Sequence, residues 1–157
     1  ASDVYKRQVK NYEEFNSASS IFKVYKRLTT EPKPMEVELS TAQIGIGLGL
    51  EEYEIYSRFC DKEEFQPILN SMMVFPALVY VFEELKQENG IENYAGTNWY
   101  ISLSKAYEKR GVDLENEMLY SDKTSVQLAQ EAMELPLNAA LRKFADLFET
   151  GEEEEDV

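Results

Sequence analysis

The 157-residue chain contains no histidine and a single cysteine, Cys60. The lack of histidine excludes His-dependent triads, cysteine–histidine pairs and imidazole metal ligands from this stretch of sequence. One cysteine excludes an internal disulfide and a zinc site built from several cysteines, and it suits a reducing compartment, so we expect a cytoplasmic protein. Without a histidine to act as its base, Cys60 is expected to be a half-buried structural thiol rather than a nucleophile.

Glycine patterns that bind phosphate are also missing. The chain contains no P-loop sequence, because no glycine is followed by lysine and then serine or threonine. Gly45, Gly47 and Gly49 alternate with apolar residues, but a dinucleotide-binding fingerprint would need its third glycine where Leu50 stands. The three glutamates that follow within residues 51–54 would repel a phosphate group. We therefore predict no cofactor, and expect the glycines either to let a neighbouring segment lie close on the sheet or to absorb strong twist.

Positive charge is scarce. Lysine and arginine total 16 against 30 acidic residues, which gives a net charge of −14. Nucleic acids and anionic membrane surfaces are bound by clustered basic residues, so we expect neither as a partner. The longest apolar run, Met72–Phe82, is shorter than a membrane span and contains Pro76.

The many carboxylates suggest no catalytic or metal site. Three adjacent pairs occur at residues 51–52, 63–64 and 83–84. Neighbouring side chains on a strand or helix point in different directions, so no pair converges by itself for acid–base work. No calcium-loop pattern occurs either. We predict no catalytic and no metal-ligating residues in this stretch.

The chain has enough apolar residues for a globular core, since 43% are hydrophobic and 12% aromatic. The first part alternates between apolar and other residues, which is typical of strands, in Ile21–Leu28, Met35–Leu39 and Gln43–Leu50. The charges of the first two segments favour an antiparallel hairpin, with Lys23 and Arg27 opposite Glu36 and Glu38. Residues 51–60 fit both a strand and a helix, and we favour the strand.

The second part shows helical spacing of apolar residues in Phe65–Lys86, Asn98–Arg110, Ser125–Glu134 and Leu137–Phe148. Pro76 is expected to kink or split the first of these helices near Val74–Phe75. The expected core stripe of the last two helices consists of Val126, Ala129, Met133, Leu137, Leu141, Phe144 and Phe148.

The order of these segments predicts an α+β fold. We expect a small antiparallel sheet of about three to four strands in residues 20–60, followed by a helical half of about three to four helices in residues 62–149 packed on it. Residues 9–149 would form this single domain, truncated at its N-terminus. Residues 150–157 would be a disordered acidic tail. Residues 1–8, ASDVYKRQ, match an in-frame translation of a sequencing adapter, and we expect them not to be native.

The lack of histidine, of a phosphate-binding loop, of a metal cluster and of a basic patch favours a function through protein contacts. The candidate interaction surface consists of Tyr53, Tyr56, Tyr100 and Tyr107, although we favour core and rim packing as the explanation of these residues. The leading hypothesis is a non-catalytic cytoplasmic protein that acts through protein–protein contacts and is itself a phage or mobile-element component of unknown role. The first alternative is the C-terminal portion of an enzyme whose catalytic part lies upstream of residue 9. The second is an acidic mimic of nucleic acid that inhibits a basic protein.

Overall fold

The computed structural model describes residues 21–155, with side chains as far as Glu149. Within this range the protein is α+β, as predicted, and a three-stranded sheet of residues 22–48 precedes a helical region of about seven helices. The sheet is mixed, so the expectation of a purely antiparallel sheet is wrong. The helical region therefore contains more helices than the sequence predicted. Residues 1–8 lie outside the described residues, so the prediction made for them stays a prediction.

The three strands lie inside the predicted segments, as β1 (Phe22–Lys26), β2 (Glu36–Leu39) and β3 (Ile44–Leu48). The predicted β1–β2 hairpin is wrong, because β3 lies between the two and pairs parallel with β1 and antiparallel with β2. The isoleucines of β3 are fully buried, and the most apolar strand of a sheet gains most from the central position. Arg27 still approaches Glu36, at 4.0 Å, across the end of the central strand.

The face of β3 that carries Gly45 and Gly47, which we call the glycine face, is covered by the ring of Tyr25 from β1. A Cβ atom added at Gly47 would lie 2.7 Å from the Tyr25 hydroxyl oxygen, and one at Gly45 would lie 2.9 Å from the same ring. Only glycine leaves room for the ring at this distance. The phenol extends over β3 towards Glu36 and Glu38 of β2, and partial burial, followed by these two carboxylates, raises the pKa of Tyr25. What lies close on the glycine face is therefore a side chain.

The fourth strand favoured for residues 51–60 is wrong, because this segment is helix α1, Leu50–Phe59. Two glutamates in its first turn suit a helix N-terminus, where the backbone carries partial positive charge. Helical spacing also brings Tyr53, Tyr56 and Cys60 onto one half-buried side, whereas a strand would place Tyr53 on the face opposite the other two. Tertiary packing decided between two patterns that the sequence left open.

A continuous helical stretch follows α1 and changes its winding in the middle. A 3₁₀ turn, Glu63–Phe65, leads into α2, Gln66–Leu69, then into a π turn, Asn70–Val74, and finally into α3, Phe75–Lys86. The boundary falls where Pro76 was expected to disturb the helix. Proline donates no backbone hydrogen bond and clashes with the carbonyl one turn earlier, and the wider π turn accommodates this without a break.

This stretch, Glu63–Lys86, is the one described helix that is long and apolar enough, by length and composition, to cross a membrane. Core helices of soluble proteins meet the same criterion. Here the stretch forms much of the hydrophobic core, to which it contributes Met73, Ala77, Leu78, Val81, Phe82 and Leu85. The expectation of no membrane partner stays a prediction.

The remaining helices are α4 (Gly90–Tyr94), α5 (Asn98–Lys109), α6 (Leu114–Tyr120), α7 (Ser125–Ala132) and α8 (Pro136–Glu155). The sequence did not predict α4 and α6, which are too short to show a clear apolar period. The backbone of α8 is helical through Glu155, although a disordered tail was predicted from residue 150. Glutamate is a good helix former, and extending an existing helix requires no new nucleus.

Trp99 connects the helical region to the sheet. Its fully buried indole donates a hydrogen bond from Nε1 to the Ser40 carbonyl at 2.9 Å, and the Asn98 amide donates to the Thr41 carbonyl at 2.8 Å. Both carbonyls belong to the loop between β2 and β3. The start of α5 therefore fixes this loop, and through it the position of the sheet on the core.

Candidate functional site

Helix α8 lies along the outside of the helical region and packs through one side only. It follows a turn in which Glu134 and Leu135 adopt positive φ angles of 58° and 61°. Pro136, which needs no backbone donor at a helix start, opens the helix. Pro136 and Ala140 are buried, on the side that contacts α2 and the π turn.

The outward side of α8 carries four large apolar residues, which we call the α8 face: Leu137, Leu141, Phe144 and Phe148. Their exposed fractions are 53%, 59%, 44% and 64%. The rings of Phe144 and Phe148 stack on each other, with centroids 5.8 Å apart and planes inclined by 16°. Spacings of four, three and four residues place all four side chains in one narrow row along the helix.

The positions on either side of this row are uncharged: Asn138 and Ala145 on one side, Ala140 and Leu147 on the other. These are the positions that carry charges in most paired helices. The charged side chains Arg142, Lys143, Asp146 and Glu149 lie more than about 100° around the helix from the middle of the face. The α8 face is thus a continuous apolar strip about three turns long.

The sequence assigned these four residues to a core stripe, and this was wrong. Of the seven predicted members, Ala129 and Met133 are buried, whereas Val126 and the α8 face are exposed. Apolar periodicity shows that a helix has an apolar side but does not show what covers that side. No sequence signal distinguished an apolar side that is covered from one that is exposed, because α7 and α8 have the same apolar period.

The four tyrosines predicted as an interaction surface do not lie together on the surface. Tyr100 and Tyr107 are buried, and burial raises the pKa of both hydroxyls. Tyr53 and Tyr56 are half-buried on α1, with ring centroids 6.0 Å apart. Only these two remain accessible to a partner, and their role stays a prediction.

Tyr53 and Tyr56 instead line a cavity of about 560 Å³ between β1, α1 and the helical stretch with the π turn. Cys60 lies on its wall and is half-buried, as expected. The Gln66 side-chain amide donates to the Cys60 carbonyl and ties the end of α1 to α2. The apolar part of the wall consists of Phe22, Val24, Ile46, Leu69, Met73 and Val74.

The carboxylate pairs are dispersed over the described structure. Glu51 and Glu52 are exposed on the first turn of α1, and Glu83 accepts a hydrogen bond from the buried Ser125 hydroxyl. Among the side chains described, those of residues 21–149, no cluster of three or more acidic, cysteine or histidine residues is placed to hold a metal ion. The geometry of the described residues thus offers two features with a possible function, the α8 face and the cavity.

Comparison of the chain with protein families, with curated proteins and with solved structures found no match in any of the three.

Proposed function

We propose that the protein is non-catalytic and acts by binding another protein, and that the α8 face takes an amphipathic helix of that partner. The observation that carries the proposal is the row of four large apolar side chains that the described structure leaves uncovered. Isolated exposed apolar residues are common, but a continuous strip on one helix marks an interaction surface. A partner helix would lay its own apolar side along this strip.

Burial of the strip supplies part of the free energy that a specific contact needs. Full burial of a leucine or phenylalanine side chain contributes about 1.5–3 kcal/mol, and each of the four is roughly half exposed. Covering all four therefore contributes about 3–6 kcal/mol before the costs of association. A contact of this size suits a reversible complex that further contacts would strengthen.

The charge of the protein favours a basic partner. The net charge is −14, and the acidic run Glu152–Asp156 directly follows the part of α8 that carries the face. A second copy of the chain would bring the same negative charge to the contact. A partner helix with lysine or arginine beside its apolar side would instead be attracted to the acidic run that follows the face.

Two synthetic helical peptides test the proposal. Both carry leucines at the spacing of the α8 face, and they differ only in having lysine or glutamate at the remaining positions. We expect the dye-labelled leucine/lysine peptide to bind, and fluorescence anisotropy to show that the variant Leu141→Ser/Phe144→Ser binds it at least about tenfold more weakly. Binding should also weaken as salt is added.

The variant Leu119→Ser/Tyr120→Ser is the matched control, because it removes two exposed apolar side chains from α6 and keeps the net charge. An equal loss of binding in this control would show that the peptide binds exposed apolar residues non-specifically, and would contradict the proposal. Equal binding of both peptides would refute the basic partner. Light scattering that shows a dimer, lost in the Leu141→Ser/Phe144→Ser variant, would assign the face to a second copy instead.

A further inference from the structure

We infer that the cavity between β1, α1 and the π turn binds an uncharged small molecule with a mainly apolar body and an amide head group. This inference is independent of the α8 face and would be a second function of the same protein. It rests on the shape of the cavity, on two polar groups in its wall that have no hydrogen-bond partner among the described residues, and on the distribution of charge around it.

The shape and composition of the cavity suit a small molecule. Its volume of about 560 Å³ lies within the range of about 300–1,000 Å³ found for ligand sites. Most of its wall is apolar and comes from separate elements, with Phe22 and Val24 from β1 and Leu69, Met73 and Val74 from the helical stretch. An apolar body entering the cavity would therefore be contacted from more than one side.

Two polar side chains of the wall can bind a ligand. Asn70 and Tyr53 are half-buried, and neither the amide of Asn70 nor the hydroxyl of Tyr53 forms a hydrogen bond to any residue that the structure describes. An asparagine amide both donates and accepts hydrogen bonds, and so does a phenol. An amide head group is the natural complement of Asn70, because each amide can donate to and accept from the other.

The π turn places Asn70 at this position. Asn70 is its first residue, and Met73 and Val74 are its last two, and all three line the cavity. The wider turn thus presents a polar group and apolar side chains to the same space. Single π turns inside α-helices are frequent at functional sites.

Charge distinguishes this cavity from the rest of the molecule. The chain has 30 acidic residues, yet among the lining residues that the structure describes the only charged side chain is Lys23, which is exposed. A carboxylate or an ammonium group inside would lose hydration without gaining a buried partner of opposite charge. An exposed lysine compensates little for that loss, because water screens it.

Cys60 provides a direct readout of occupancy. It is the single cysteine of the chain and lies on the cavity wall, so its rate of reaction with a thiol reagent reports on this site alone. The probes are octanamide, octanoate and octylammonium, which share one apolar body and differ in the head group. We expect octanamide to slow the modification of Cys60, with an affinity at least about tenfold higher than that of either charged probe, and titration calorimetry to give the same order.

Two variants connect this effect to the cavity. Asn70→Leu keeps the side-chain size and removes the amide, so the preference for octanamide over octanoate should be lost. Val74→Phe fills the cavity and should abolish protection of Cys60, whereas Met72→Phe enlarges an exposed residue of the same π turn and should leave protection unchanged. Circular dichroism checks the fold of each variant.

Several results would overturn the inference. These are the absence of protection by every probe, equal protection by all three, a preference that survives in the folded Asn70→Leu variant, and protection that survives in Val74→Phe. If Val74→Phe fails to fold, the Asn70→Leu comparison alone decides the outcome.

Discussion

At the scale of single residues, burial of a tyrosine makes the stability of the fold depend on pH. Tyr107 packs edge-on against Phe82, with ring centroids 6.4 Å apart, inside the hydrophobic core. Its burial raises the pKa of the hydroxyl; Arg110 lowers it, and Glu117 raises it further. The folded protein therefore holds this proton at a pH at which the unfolded chain releases it.

Alkaline pH is accordingly expected to destabilise the fold through Tyr107. The stabilisation is fully present below the ordinary tyrosine pKa of about 10 and is lost as the pH rises above it towards the pKa of the folded state. One such group lowers the free energy of unfolding by up to about 1.4 kcal/mol per pH unit. Urea unfolding at several pH values between about 9 and about 11 measures how steeply the free energy of unfolding falls as the pH rises. The fall should be less steep for Tyr107→Phe than for the wild type.

Tyr120→Phe is the control for this measurement, because Tyr120 is largely exposed. The free energy of unfolding of this variant should fall with pH as steeply as that of the wild type. If the free energy of unfolding fell equally steeply with pH in Tyr107→Phe and in the wild type, the proton on Tyr107 would not contribute to the pH dependence.

At the scale of elements, the junction between α3 and α4 depends on close backbone packing. Gly90 is buried at the start of α4 and lies against the end of α3. A Cβ atom added there would meet the carbonyl oxygens of Glu84 and Leu85, the latter at 2.7 Å. Both atoms belong to the backbone, so they cannot turn away as a side chain would.

Gly90→Ala should therefore push α4 away from α3 and lower the free energy of unfolding by about 2–3 kcal/mol, measured by urea denaturation. Gly96→Ala is the matched control, because a Cβ atom there has nothing within 4 Å. Equal stability of the two variants would mean that the α3–α4 junction relaxes without cost.

Elements also show how far the sequence alone determines the structure. The alternation of apolar and other residues predicted all three strands, because a strand in a sheet that buries one face shows this period of two. It did not predict their order, because the central place of β3 depends on contacts between distant segments. The helix formed by residues 51–60 and the uncovered α8 face were missed for a related reason: periodicity shows which side of an element is apolar, but not what packs there. The cavity could not be predicted, because it joins β1 to α1 and the π turn.

At the scale of the whole molecule, charge opposes folding. The net charge of −14 is spread over 157 residues, and compaction brings like charges together. Among the residues whose side chains are described, the ion pairs are few and lie on the surface, where each contributes about 0–1 kcal/mol. Self-repulsion should therefore outweigh ion pairing in the effect of salt.

We expect the free energy of unfolding to rise as sodium chloride increases from about 0.01 M to about 0.15 M, because the screening length falls from about 30 Å to about 8 Å. Urea is the appropriate denaturant, since guanidinium chloride is itself a salt. A fall in stability over this range would show that pairs such as Lys123 with Glu131, whose atoms are 2.9 Å apart, outweigh the repulsion.

The central place of β3 also sets the order in which the sheet can assemble during synthesis. β1 and β2 leave the ribosome first, yet each is hydrogen-bonded only to β3 within the described sheet. Neither strand has its native partner until Leu48 has emerged. The loop before β3 is then secured by Asn98 and Trp99, which are made later still. The sheet comes first along the chain, but it depends for its completion on residues that follow it.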